Sequence, residues 1–382
     1  MDSLGLGGFQ SLSRGSDHLR GLANLLRDLT GGEVLLHELI QNADDAGADT
    51  IRFRADEHGL TVWNPAVFTS CRRQDLESCP DLPACDLHRF RLVNSRGKYD
   101  DISTTGAFGV GFTAVYQVTD HPELITGGFH LLLDEARESN ERIRLCTGCD
   151  RRHDEGGTTF VLPWARATSR IRQVLGQTLS QSEIESLLLV MGTSAERAGV
   201  FLQHVKRIEV LGPQRQTVAT KSVFGDRIET QFEGDGHQWL LLRADTQEPP
   251  PGNRSRCVEV AIDTRPGAAI GSVYATLPTQ TTTGWAGHIN GSFFPSPDRK
   301  AVDFQGAGES VRWNAALIET ASELVATNLD HIAREVSPEA VWQYLADCLA
   351  MLRDPQRPDC FRHFYERARV HAGEAPITPL TD

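Results

Sequence analysis

One stretch of the chain, LLHELIQNADDAGA at residues 35 to 48, constrains the fold more than any other. At about 100° per residue, Glu38, Asn42 and Asp45 fall within roughly 60° of one another on one side of the predicted helix. Two carboxylates and an amide without a cation indicate a binding surface, and an ordinary solvated face is the alternative. The apolar residues recur at the spacing of the opposite face: Leu35, Leu36, Leu39, Ile40, Ala43 and Ala46.

Composition narrows the class of protein. The chain has 382 residues, of which 40% are hydrophobic, which suits two or three globular domains. Its net charge of -13 argues against a nucleic-acid scaffold, because such proteins usually present a basic face. We find neither a run of apolar residues long enough to cross a membrane nor a signal peptide. We therefore expect a cytoplasmic protein with no membrane partner.

The N-terminal pattern predicts an α/β domain over residues 1–170. An amphipathic helix at 16–28 precedes the opening helix, and TIRFRAD and GLTVWN read as two strands. Residues 65–105 are irregular and are expected to form a lid. They lead to TTGAFGVGFTAVYQVTD, a glycine-rich loop that enters a helix, and then to the strands HLLLDEA, ERIRLC and TTFVLPW.

The rest of the chain predicts a second domain and a helical segment. Residues 168–205 look helical, with SEIESLLLVM and RAGVFLQHV as the clearest pieces, and residues 206–293 return to strands. Helices are expected from residue 311 to about 352 and near 359–371. We expect a smaller α/β domain at 171–310 and a helical segment at 311–382, with the chain continuing beyond Asp382.

The glycine-rich loop GAFGVGF is a candidate phosphate site. Gly106, Gly109 and Gly111 allow close backbone approach, and N–H groups at a helix N-terminus bind phosphate. Asn42 would supply an amide oxygen to Mg²⁺, and Glu38 would orient or deprotonate a water. Such a loop alone is weak evidence, since many are ordinary turns, and its spacing fits neither a dinucleotide fold nor a P-loop.

The two elements together are more specific. The pattern E-x-x-x-N-x-x-D-A, followed roughly 60 residues later by G-x-F-G-V-G-F, resembles the GHKL, or Bergerat-fold, ATPases. HELIQNADDAGA, GAFGVGFTAVYQVTD and GGTTFVLPW look most like the heat-shock-chaperone branch, and within it the sacsin-type ATP-binding modules. The resemblance is clear over about residues 10 to 165 and weaker at GHINGSFFPSPDRKAV. It implies a Bergerat-type α/β sandwich, with a mixed, mostly antiparallel sheet and helices on one face, followed by a transducer-like α/β domain.

The resemblance also implies roles for particular residues. Glu38 matches the general base, Asn42 the Mg²⁺ ligand, and Thr158 the threonine that supports the adenine. Asn64 falls where the chaperones have an adenine-binding Asp, and here the sequence departs from the family, because the residue is an amide and the following glycines are absent. The remaining nucleotide-binding candidates are Asp45, Ala46, Gly106, Phe108, Gly109, Val110, Gly111 and Phe112.

Three cations are candidates for contact with a γ-phosphate. Lys98 lies in the predicted lid, and Arg299 and Lys300 lie in SPDRK. Each could act through its charge, and Arg299 also as a planar fork. The alternative is that all three are solvated surface residues.

The cysteines raise a separate question. We expect reduced thiols rather than a disulfide framework. Two segments each offer half of a zinc site, and the two halves could share one metal. Irregular spacing in one segment favours unliganded loop thiols over zinc. The residues concerned are Cys146, Cys149 and His153 in CTGCDRRH, and Cys79, Cys85 and His88 in CPDLPACDLH.

The function implied by the resemblance is an ATP-dependent conformational switch. ATP and Mg²⁺ bind, the lid orders over the phosphates, SPDRK docks, and slow hydrolysis with Glu38 resets the module. Protein clients or partner domains and a nucleotide-dependent homodimer are the implied partners. Two alternatives stay open: a non-hydrolysing nucleotide-sensing module of a larger protein, for example in defence, and a DNA-linked GHKL ATPase.

Overall fold

The computed structural model describes residues 18–29, 31–71, 79–81, 84–93, 110–149, 156–176, 178–265, 267–296 and 300–372. Its first part contains both helices and strands. In chain order these are α1 (His18–Asp28), α2 (Gly32–Asp45), β1 (Thr50–Ala55), β2 (Gly59–Asn64), α3 (Asp86–Val93), a 3₁₀ helix (Val110–Gln117), β3 (Glu123–Thr126), β4 (Phe129–Leu133), β5 (Ile143–Leu145) and β6 (Thr158–Pro163).

Two helices lead from the first part into a run of strands, and helices close the chain. The two helices are α4 (Arg170–Leu175) and α5 (Gln181–Ala198). The strands are β7 (Arg207–Leu211), β8 (Gln216–Phe224), β9 (Arg227–Phe232), β10 (Asp235–Asp245), β11 (Cys257–Asp263), β12 (Ser272–Ala275), β13 (Leu277–Thr282) and β14 (Gly287–Gly291). The last helices are α6 (Glu309–Thr327), α7 (Leu329–Glu335), α8 (Pro338–Arg353) and α9 (Asp359–Ala372).

All the strands named above belong to one sheet. Their order is β13-β12-β14-β11-β10-β9-β8-β7-β1-β2-β6-β3-β4-β5. Neighbouring strands are antiparallel except in the pairs β1–β7 and β12–β14. Parallel pairing of Thr50 with Arg207 through Arg54 with Leu211 joins the two parts of the chain. The chain is therefore a mixed α/β protein with a large, mostly antiparallel sheet.

Hydrophobic burial explains the elements around α2. Five of the six residues predicted for the apolar face of α2 are buried, and Leu35, Leu36 and Ile40 are fully shielded from solvent. The prediction is wrong for Ala46, which follows the last residue of α2 and is exposed in the cleft. β1 and β2 alternate buried and partly exposed positions, as strands with one face in a core do. One hydrophobic cluster contains α2, these strands and part of α5, and a second contains β10, β11 and α6 to α9.

Three local predictions are wrong. The segment 65–105, expected to be irregular, contains α3. The helix expected after the glycine-rich loop is of the 3₁₀ type. RAGVFLQHV does not continue as a helix, because α5 ends at Ala198 and the apolar Val200, Phe201 and Leu202 are buried in a non-helical turn.

Among the described residues, no helix combines the length and the apolar character that crossing a bilayer requires.

Candidate functional site

A cleft of about 370 Å³ opens beside the polar side of α2. Its lining includes five of the residues that the sequence predicts for a nucleotide: Asn42, Asp45, Ala46, Asn64 and Thr158. These residues come from the end of α2, the end of β2 and the start of β6. Antiparallel pairing of β2 with β6 places Asn64 opposite Thr158. The cleft is of the size and mixed polarity typical of small-molecule sites.

Other walls of the cleft were missed by sequence reasoning. The segment after β2 contributes Val67, Phe68 and Thr69, and α3 contributes Asp86 and Arg89. The Thr69 hydroxyl and backbone N–H both donate to Asp86 Oδ2, at 2.7 and 2.9 Å. Burial would raise the pKa of the Asp86 carboxyl, but hydrogen bonds from Thr69 and Arg89 outweigh it and lower that pKa. The sequence signal that could have indicated these walls is that Thr69 and Asp86 flank a segment rich in cysteine.

Glu38 lies against the start of the 3₁₀ helix. Its side chain is buried, with 5% of the residue exposed. A Cβ atom added at Gly111 would overlap the Glu38 carboxylate, so only a glycine leaves room for that group. The backbone at Gly111 and the carboxylate of Glu38 are therefore in direct contact.

The amide of Asn42 is uncommitted. Asn42 is half-buried, and its Nδ2 is shielded from solvent without a hydrogen-bond partner in the described part of the chain. Buried polar atoms are normally hydrogen-bonded, so such an atom in a cleft wall needs an explanation. A ligand oxygen would reach this Nδ2 atom only if the side chain moved, because the atom is shielded from solvent.

A directed chain of hydrogen bonds shapes the segment after β2. The Thr158 hydroxyl donates to the Ala66 carbonyl at 2.7 Å, so its oxygen accepts from Thr126 at 2.8 Å. Thr126 Oγ1 in turn accepts from the Phe68 N–H at 3.0 Å. The Ala66 N–H donates to Asn64 Oδ1 at 3.0 Å. Thr158 thus positions the cleft wall, and its hydroxyl hydrogen is already used.

The glycines of GGTTF have a steric reason. Gly157 has φ +84°, a conformation that side-chain-bearing residues rarely adopt. A Cβ there would also collide with the backbone carbonyl of Asn64. Gly157 therefore lets the start of β6 approach the residue at the base of the cleft.

Two adjacent aspartates at the end of α2 have different environments. Asp44 is buried and accepts hydrogen bonds from the backbone N–H groups of Gln203, His204 and Val205, at 3.0, 2.7 and 2.8 Å. Asp45 reaches solvent in the cleft. Desolvation and the neighbouring Asp44 raise the pKa of Asp45, while His204 opposes the shift.

The remaining candidates are distributed as follows. Phe112 is buried and packs on Phe90 and Phe160, with ring centroids 5.2 and 5.1 Å away, so its ring belongs to the core. Lys300 is not among the residues lining the cleft, and its carbonyl accepts from the Gln280 N–H. Val110 begins the 3₁₀ helix. Lys98, Gly106, Phe108, Gly109 and Arg299 lie outside the described residues.

Among the described residues, the cysteines of the two predicted half-sites fall into separate groups. Cys146 and Cys149 are joined by a disulfide, so the expectation of reduced thiols is wrong for this pair. Their neighbour is His130, whose Nδ1 lies 2.9 Å from Cys149 Sγ, and His153 lies outside the described residues. A separate group combines the predicted Cys79, Cys85 and His88 with Cys71, which sequence reasoning missed.

The geometry defines a mixed α/β protein with a polar cleft at the end of α2 and a buried contact between Glu38 and Gly111. Comparison with known proteins adds a family resemblance. A family model described as "Sacsin domain" matches residues 16–144. Human Sacsin is 34% identical over 131 residues, which covers 30% of this chain. The N-terminal region is therefore sacsin-like.

That match covers a small part of the relative. The chain spans about 3% of the length of human Sacsin. The matched segment 16–144 contains α2, β1, β2 and α3, and hence most of the cleft lining, whereas Thr158 and Phe160 on β6 lie beyond it.

Proposed function

We propose that the cleft binds ATP with Mg²⁺ and that the chain hydrolyses ATP slowly, as a conformational switch of chaperone type that acts on a protein client or partner domain. The proposal includes a Bergerat-type architecture for the N-terminal part. One observation carries it: the cleft brings together Asn42, Asp45, Asn64 and Thr158, while Glu38 abuts Gly111 of the glycine-rich loop.

Two features of the described residues fit a magnesium nucleotide. Asn42 lines the cleft, and its side-chain amide would offer Mg²⁺ a hard oxygen ligand. The glycine at 111 keeps space beside a buried carboxylate. When bound, Mg²⁺ would offset the charge of the phosphates.

The roles of the other residues follow from their positions. Glu38 would orient or deprotonate the attacking water, a role that contributes about 10²- to 10⁴-fold to rate. Thr158 would act as a positioning residue, because its hydroxyl hydrogen is bonded to Ala66. Asn64 would face the base through its Nδ2, since its Oδ1 already accepts from Ala66.

The test is calorimetric titration with ATP, ADP and GTP, with and without Mg²⁺, combined with phosphate release from the same samples. Glu38→Gln should retain ATP binding within a few-fold and lose release by about 10²-fold or more. Neither Glu38 nor Glu33 is among the residues that line the cleft. Glu33→Gln is the matched control, because Glu33 is on the same helix but its carboxylate pairs with Arg197, whereas that of Glu38 lies against Gly111. Absence of ATP binding, or release that survives Glu38→Gln, would contradict the proposal.

A second candidate function is a nucleotide-sensing module that does not turn over. The amide at Asn64 favours it, because a neutral hydrogen bond to the base is weaker than the charge-assisted bond of an Asp. Binding without phosphate release would select this function. Asn64→Asp should then raise ATP affinity several-fold if the base is read at this position. A DNA-linked ATPase is the third alternative, and salt-dependent DNA binding would be its signature.

A further inference from the structure

A compact group of soft ligands lies beside the cleft. It consists of Cys71, Cys79, Cys85 and His88, whose ligand atoms all lie within 4.8 Å of one another. His88 Nδ1 is 3.5 Å from Cys71 Sγ and 3.1 Å from Cys85 Sγ. The Cys85 N–H donates to Cys79 Sγ at 3.3 Å. The three cysteines are not disulfide-bonded, so no disulfide accounts for their convergence.

These dimensions suit a tetrahedral zinc ion. Zn–S bonds of about 2.3 Å and Zn–N bonds of about 2.0–2.1 Å put the ligand atoms of a tetrahedron about 3.5–3.8 Å apart. The sulfur-to-nitrogen distances here differ from that range by a few tenths of an ångström at most. Thiolate and imidazole ligands select zinc over the hard cations magnesium and calcium, which prefer oxygen.

We propose that Cys71, Cys79, Cys85 and His88 bind one structural Zn²⁺ ion. Three thiolates and an imidazole fill four positions, which leaves none for water or a substrate, so the site is closed and non-catalytic. His88 is fully buried and Cys85 is 4% exposed, as expected for an ion shielded from solvent.

The position of the group indicates what the ion would stabilise. Cys71 follows the segment after β2, whereas Cys85 and His88 lie at the beginning of α3. Zinc would therefore join the two sides of the intervening loop. The hydrogen bonds between Thr69 and Asp86, both in the cleft wall, already link the same two sides. This inference does not depend on which ligand occupies the cleft.

The first test is metal content. The full chain, purified without chelator in the presence of zinc, is dialysed and analysed by mass spectrometry for metals. We expect a single zinc ion per chain in the wild type and its loss in Cys85→Ser and in Cys79→Ser. Cys257→Ser, in β11, and Cys146→Ser, in the other cysteine group, are matched controls that should retain the ion. Absence of zinc in the wild type, or its loss in Cys146→Ser, would overturn the proposal.

The second test uses the wild-type chain, so it does not depend on a variant that folds. Reduced protein is alkylated with and without stoichiometric zinc, and labelling is measured at each cysteine by peptide mass spectrometry. Zinc should protect Cys71, Cys79 and Cys85 and leave Cys257 unchanged. Equal labelling of the three cysteines with and without zinc would overturn the proposal, whatever the metal content.

Discussion

At the scale of single residues, the contact between Glu38 and Gly111 gives the sharpest prediction. The added methyl group of Gly111→Ala would displace the buried carboxylate of Glu38, so we expect a loss of about 1–3 kcal/mol in the free energy of unfolding, which a typical domain tolerates. Phosphate release should nevertheless fall towards the level of Glu38→Gln, with ATP affinity within a few-fold of wild type. Calorimetry and a phosphate assay measure both quantities.

Gly199→Ala is the control for that substitution. An added Cβ at Gly199 meets no atom within 4 Å, and the residue caps α5 away from the cleft. Release that persists unchanged in Gly111→Ala would show that the position of the Glu38 carboxylate does not matter for hydrolysis.

The two adjacent aspartates offer a matched pair. Asp44→Ala removes a buried carboxylate that accepts from three backbone N–H groups, and we expect it to lower the free energy of unfolding by about 3 kcal/mol. Asp45→Ala removes a carboxylate that reaches solvent, and the expected loss is below about 0.5 kcal/mol. Urea denaturation of both variants measures the difference, and equal losses would contradict the assigned roles.

At the scale of elements, the hydroxyl chain connects β3, β6 and the segment after β2. Thr126→Val keeps the side-chain shape but leaves the Phe68 N–H without its acceptor, so we expect a loss of about 1–3 kcal/mol in the free energy of unfolding. If the cleft binds ATP, affinity should fall as well. Thr193→Val on exposed α5 surface is the control, and a similar loss there would argue against a special role for the chain.

Elements with a regular hydrophobic period could be predicted, whereas irregular ones could not. β1, β2 and α2 have alternating or helical burial that follows their sequence period. α3 could not be predicted because His, Arg and Asp interrupt its apolar face. Its stability also depends on hydrogen-bond partners such as Thr69, which lie outside the helix in sequence. Cys71 could not be predicted as a ligand because its sequence separation from Cys79 matches no zinc motif. Only the folded chain brings the two thiols together.

At the scale of the whole molecule, buried histidines predict how stability depends on pH. Burial, with a smaller effect of Arg197, lowers the pKa of His37 from 6.5 to about 3, and burial lowers that of His288 to about 4. The folded state favours the neutral rings, so the stabilisation is complete above pH 6.5 and is lost as the pH falls from there towards these values. For each unit by which the pH falls within that window, each histidine should lower the free energy of unfolding by up to about 1.4 kcal/mol.

Urea denaturation at pH 7.5, 6.0 and 5.0 tests this dependence, because most carboxylates titrate below that range. His37→Gln and His288→Gln should each reduce the slope between pH 6.0 and 5.0. His58→Gln is the control, since the His58 side chain is 85% exposed. A slope that neither buried-site variant changes would contradict the prediction.

The parallel pairing of β1 with β7 has a mechanical consequence. Five residue pairs connect the cleft-bearing part of the chain to the strands that lead to the C-terminal helices, and Asp44 holds the residues just before β7. Free hinge rotation between the two parts would break this ladder. A displacement of α2 should therefore be transmitted to the distant strands as an elastic twist of the sheet. The stiffness of the sheet would then determine how far from the cleft a conformational change extends.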